Sequence, residues 1–168
     1  NLQGVVTASR AINNQMQQVW SQQLDNTNYH TVQLSNGILV YSNEGDVRLL
    51  NRASGQQIWR LNKHGAVASV LANENEAFIS TVSGKLLKIS MQDASLLAEE
   101  NLHAAAQLIA LDDDAQLLTV ITANGVMVNY DFSLRLKSEK TMMKVVDSAY
   151  FQARWVAIAE NGQMLGLN

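Results

Sequence analysis

The sequence predicts an all-β chain built from a repeated antiparallel unit of about forty residues. Three observations predict it. A turn glycine followed by an alternating strand recurs five times, in "QGVVTAS" at Gly4, "EGDVRLLN" at Gly45, "SGKLLKIS" at Gly84, "NGVMVNYD" at Gly125 and "NGQMLGLN" at Gly162, at intervals of 41, 39, 41 and 37 residues. Four of these glycines close a preceding apolar run, as in "ILVYSNEG", "AFISTVSG", "LLTVITANG" and "WVAIAENG". The chain also has no proline, as suits strands whose every N–H is needed by a ladder.

Asn-Gly, Glu-Gly and Ser-Gly between β-rich runs are hairpin signals, because glycine supplies the positive φ that short turns require. They place the second and third strands, b and c, of each unit. Strand a is the upstream run ("YHTVQL", "AVASVLA", "AAAQLIAL", "VVDSAYF"), and strand d the more polar downstream run ("QQIWRLN", "SLLAEEN", "LRLKSEKT"). Four strands per forty residues is the count of a β-propeller blade. The prediction is therefore a β-propeller-type array of about four four-stranded blades, part of a larger propeller or completed by another chain. Its blades fall at 1–26 (strands c and d), 31–62, 65–102, 103–142 and 143–168 (strands a, b and c). The segment 94–110, "ASLLAEENLHAAAQLIA", is rich in helix formers, but the repeat period assigns it to strand d, a connector and strand a.

Composition narrows the class. The 168 residues are 47% hydrophobic, enough for a core, but only 16% charged, against roughly 25% in an average soluble protein. Twelve Lys and Arg against fifteen Asp and Glu give a formal charge of −3, which is no footprint for nucleic acid or an anionic membrane. Cysteine is absent, so disulfides, thiolate nucleophiles and cysteine-ligated metals are excluded. No run approaches the roughly 18 apolar residues of a membrane-spanning helix, and the chain opens on Asn1 without a signal-type segment. These ends lead one to expect a processed or excised piece.

The stretch "GDVRLLNRASGQQIW" resembles the quinoprotein-type (PQQ-like) propeller repeat, in which a glycine and strand lead to Asp or Asn, a glycine turn and a strand-d tryptophan. Gly45, Asn51, Gly55 and Trp59 match that motif, and Gly4, Asn14 and Trp20 match it more loosely. Later units resemble the WD repeat: Tyr130 and Asp131 stand where a WD dipeptide would close strand c, while His64-Gly65 inverts the usual Gly-His pair. Trp20 and Trp59 could serve as exposed anchors for a partner, but their repetition in the same motif slot favours packing between blades. For quinoprotein dehydrogenases the resemblance implies a vicinal-cysteine ring over the quinone, and this chain has no cysteine.

Candidate chemistry is correspondingly sparse. Asp112, Asp113 and Asp114 lack the alternating spacing of a calcium loop and read as a solvated a–b turn. His30, His64 and His103 recur near the entrance to strand a, a structural position rather than a ligand set. No nucleophile elbow or phosphate loop occurs. Arg48, Arg52, Arg60 and Lys63 form a local basic cluster suited to an acidic peptide. The expectation is a non-catalytic protein–protein interaction scaffold without cofactor or metal, for example an envelope assembly factor. It would take a protein partner or self-associate through an open blade edge or loop face. A ligand-sensing propeller domain and a quinoprotein-like oxidoreductase are the alternatives. The envelope form would place the chain in the bacterial periplasm, and WD-type platforms would place it in the cytoplasm.

Overall fold

A computed structural model describes residues 4–13, 15–25, 28–142, 144–151 and 154–167, with the backbone alone for 147–151, 154, 155, 157 and 165–167. Among them every regular element is a strand: β1 (Gly4–Ile12), β2 (Gln15–Leu24), β3 (Tyr29–Gln33), β4 (Gly37–Ser42), β5 (Val47–Asn51), β6 (Gln57–Leu61), β7 (Val67–Ala72), β8 (Glu76–Thr81), β9 (Lys85–Ser90), β10 (Leu96–Asn101), β11 (Ala106–Asp112), β12 (Leu117–Thr122), β13 (Val126–Asp131), β14 (Leu136–Thr141), β15 (Val145–Phe151), β16 (Arg154–Ala159) and β17 (Met164–Leu167). They form antiparallel meanders: the pair β1-β2, three four-stranded sheets (β3 to β6, β7 to β10, β11 to β14) and the three-stranded sheet β15-β16-β17. Helix propensity in 94–110 is overridden by pairing, since β10 zips onto β9 and β11 onto β12.

The core lies between sheets. Because successive side chains on a strand face opposite ways, each central strand feeds two interfaces. Val40 of β4 packs with Trp20 and Leu24 of the preceding sheet, while its neighbour Leu39 packs with Val70 and Ile79 of the following one. Phe78 on β8 likewise turns toward Leu118 and Phe132, and Ile79 turns back. β8 and β9 are buried on both faces along most of their length, with Ala77, Phe78 and Ile79 facing Leu86, Leu87 and Ile89, and the buried Lys88 paired to Glu76 at 2.6 Å. Strand d covers nothing further out, so β14 is exposed along its length.

Two devices recur, the first in the three four-stranded sheets and the second in these and in the β1-β2 pair. The hydroxyl residue ending strand b accepts the backbone N–H that follows the turn glycine: Lys85 N donates to Thr81 Oγ1 at 2.9 Å, Val126 N to Thr122 Oγ1 at 3.1 Å and Asp46 N to Ser42 Oγ at 3.4 Å. Strand d carries a bulge at Val19, Ile58, Leu97 and Lys137, each skipped by the register with strand c. A bulge re-aims the residue beside it. The three apolar bulge residues are about half exposed, while Trp20 and Trp59, one position on, are buried.

Those tryptophans staple neighbouring blades. Trp20 Nε1 donates to the Arg52 carbonyl at 2.9 Å, and Trp59 Nε1 to the Met91 carbonyl at 2.7 Å, each acceptor lying in the c–d turn of the next sheet. A small turn residue in the left-handed region accompanies each, Gly55 (φ 72°) under the Trp20 ring and Ala94 (φ 58°) against the cluster that contains Trp59. A Cβ on Gly55 would lie 2.5 Å from Trp20 Cε3, so glycine there makes room for the indole. The next pair inverts the sizes: the strand-d residue is Ala98 and the turn residue is Leu134 (φ 57°), buried in the cluster against which Ala98 packs.

Candidate functional site

A cluster of two acids, two arginines and a tyrosine grows from the turn at Gly45. Asp46 immediately precedes β5, two residues before Arg48, and the register sets Arg48 directly opposite Arg60 of β6. Two guanidiniums forced together across a ladder repel unless carboxylates sit between them. Asp46 and Asp25 are those carboxylates. Asp46 Oδ2 accepts from Arg48 Nε at 2.8 Å and Asp46 Oδ1 from Arg60 Nε at 2.7 Å. Asp25 Oδ2 takes Arg48 Nη2 at 2.5 Å and Arg60 Nη2 at 2.9 Å. The Tyr29 hydroxyl donates to Asp46 Oδ2.

Burial alone would raise the Asp46 carboxyl, but the hydrogen bonds from Arg48, Tyr29 and Arg60 outweigh it and hold the group below its ordinary value. Tyr29 moves the other way. Burial, then the hydrogen bond to Asp46 and its charge, push the phenol up to about 12.

The cluster occupies the end of the second sheet that carries the b–c turn and the connectors between sheets. Beside it, Tyr29 and Leu24 line a groove of about 280 Å³ whose other walls are Gly4, Val5, Val6, Thr7 and Thr31. The groove runs along β1, a strand paired on one side by β2. Val5, Ile12, Met16 and Val19 of this hairpin are exposed.

The four basic residues singled out by sequence do not form one patch. Arg48 is buried and Arg60 is bound to the same two acids. Arg52 lies at the far end of β5, where its guanidinium donates to the Leu34 and Ser35 carbonyls. Lys63 is exposed in the connector to β7. Asp46, two residues before Arg48, was the available signal that the cluster is paired; Asp25, 23 residues away, left none.

The remaining motif residues take structural places. Asn51 Oδ1 accepts from Ala53 N and Ser54 N, capping the c–d turn. Asp131 does the same for Ser133 N and Arg135 N, so Tyr130-Asp131 ends strand c with the turn cap of the Asn51 type. Gly84, Gly125 and Gly162 share the positive φ of Gly45, while Gly4 opens β1 opposite Leu24. Asn14 lies outside the described residues. His30 stacks on Tyr41, whereas His64 and His103 lie in separate connectors. Asp112 and Asp113 sit at the β11–β12 turn, where Asp112 caps Ala115 N and Asp113 accepts from Asn73 of the neighbouring a–b turn. Among the described residues no three His, Asp or Glu side chains gather to hold a metal. No helix there is long and apolar enough to cross a membrane.

No protein-family model and no curated protein sequence matches the chain. Solved structures do match. BamB from Moraxella catarrhalis aligns at 14% identity and a TM-score of 0.74, over 98% of this chain and 52% of BamB. Sqt1 of Saccharomyces cerevisiae aligns at 17% identity and 0.75, again over 98% and 52%. The computationally designed Ika4 protein aligns at 14% and 0.71, over 82% of this chain and 88% of its own. The fold is that of β-propeller proteins, seen here as an array of four-stranded blades. The chain spans about half the length of BamB and Sqt1.

Proposed function

We propose that the chain is a non-catalytic interaction module of the quinoprotein-type propeller repeat class, which receives a protein partner at the junction of its first two sheets. The carrying observation is where polar and aromatic side chains converge. Tyr29, Asp46, Arg48, Arg60 and Asp25 meet on the connector face, next to the β1 groove. Convergence on a loop face beside a strand edge suits a platform that accepts an extended segment. Exposed Val5 and Met16 add apolar surface that the core does not use. Lys63, exposed in the connector, belongs to this reading as a rim contact while Arg52 at the far end of β5 does not, and strands from elsewhere in a longer protein or from another chain would complete the ring.

The experiment is photo-crosslinking from position 5 or 16, together with the solution mass by light scattering, alone and with candidate partner proteins. Crosslinks at the hairpin with a matching mass increase support the reading. Partner crosslinks confined to the c–d turn face would overturn the assigned surface, and failure to engage any protein would overturn the scaffold role.

A further inference from the structure

We propose that Asp25 is an internal stand-in for a partner carboxylate, filling a two-arginine seat that an acidic side chain of a protein partner takes over on binding. The inference rests on the interaction-module reading and supplies the chemistry of the partner. The two acids of the cluster differ in kind. The Asp46 side chain is 7% exposed and holds Arg48 through Nε and Nη2 together and Arg60 through Nε. Asp25 is 63% exposed and touches them only through Nη2, with one oxygen receiving both. Asp46 therefore builds the seat and Asp25 occupies it.

Exchange of one carboxylate for another conserves both charge and hydrogen bonds. The desolvation of Arg48, whose side chain is 6% exposed, is met in either state. A partner then needs only its other contacts to win the competition. Those contacts adjoin the seat: Leu24 precedes Asp25, and Tyr29 reaches from the cluster into the groove beside Val5 and Val6. An extended peptide with an acidic residue next to an apolar one matches this juxtaposition. The seat is otherwise a rigid anion receptor, since Arg48 and Arg60 are fixed by strand register.

The test titrates the 168-residue chain with fluorescein-labelled hexaglutamate, read by anisotropy, comparing wild type, Asp25→Ala and Asp25→Ala with Arg60→Gln. A tethered competitor acts at an effective concentration on the order of millimolar, so its removal should tighten binding by about tenfold or more. Arg60→Gln should cancel that gain. Equal affinity for wild type and Asp25→Ala, or a gain that survives Arg60→Gln, overturns the proposal. Asp25→Asn, which keeps the shape and removes the charge, repeats the comparison if the alanine variant unfolds. Hairpin crosslinking to a partner that persists while the affinity gain is absent refutes the seat and leaves the module reading standing.

Discussion

The inverted pair Ala98 and Leu134 makes the inter-blade staple a quantitative test. At two junctions a strand-d tryptophan lies over a small turn residue, Trp20 over Gly55 and Trp59 beside Ala94, and at the third the large residue comes from the turn. If these are three fillings of one slot, Ala98→Trp and Leu134→Gly should each harm the fold and together repair it. Leu134 is 3% exposed, and truncating a buried leucine costs about 2–5 kcal/mol. Glycine recovers roughly 1 kcal/mol of that, because φ at 134 is 57°. Tryptophan forced into the filled slot costs about 1–3 kcal/mol. In the double variant the indole should enter the vacated space and donate to the carbonyl of Phe132, the first residue after strand c, as Arg52 and Met91 are where they accept from Trp20 and Trp59. We expect the double variant to lie within about 1 kcal/mol of wild type, a coupling of roughly 3 kcal/mol at the upper end for residues in contact. Urea unfolding followed by circular dichroism on all four proteins measures it, provided the slope m stays constant. Additivity within about 0.5 kcal/mol would refute the shared slot.

Gly45→Ala should destabilise by at least about 3 kcal/mol and Gly162→Ala by only about 1–2 kcal/mol, on left-handed strain alone. Both glycines have positive φ, but a Cβ at 45 would lie 2.4 Å from the Gly65 carbonyl oxygen, while none of the described atoms lies within 4 Å of one at 162. Thermal melts of the two variants give the order. The Asp46 carboxyl is held below its ordinary value, so its stabilising contribution is complete above about pH 4 and is lost as pH falls through the lower folded value. An acid titration of stability should therefore be flatter below pH 4 in Asp46→Asn than in wild type. Tyr29 gives the opposite sign. Its neutral form is favoured by folding, so its contribution is intact below about pH 10 and disappears as pH rises toward about 12. Tyrosinate absorbance should show one phenol titrating near 12 that Tyr29→Phe removes.

Some of the candidate site was legible and some was not, for reasons of range. Asn51, Gly55 and Trp59 could be read because a turn cap, a left-handed residue and a bulky strand residue are local requirements that repeat. Ser42, Thr81 and Thr122 were equally local, each three residues before a turn glycine, and went unread although the spacing was present. Asp131 was legible as the end of strand c, but its carboxylate became a turn cap only when the Ser133 and Arg135 amides came within 3.0 Å. The basic cluster misled because counting Arg48, Arg52, Arg60 and Lys63 along the chain ignores the strand, whose two ends separate Arg48 from Arg52.

By itself the sequence determined the strands, their forty-residue repeat and the order of pairing within each blade. A hairpin is specified by alternation and by the residues that can make its turn, and both are written within about ten positions. Tertiary structure alone decided which residues meet between blades. It placed Trp20 over Gly55, set Leu134 in the slot left by Ala98, and brought Asp25 onto two arginines 23 and 35 residues away. Such contacts depend on how twisted sheets stack face to face, and each slot is satisfied by total volume and charge rather than by one residue type.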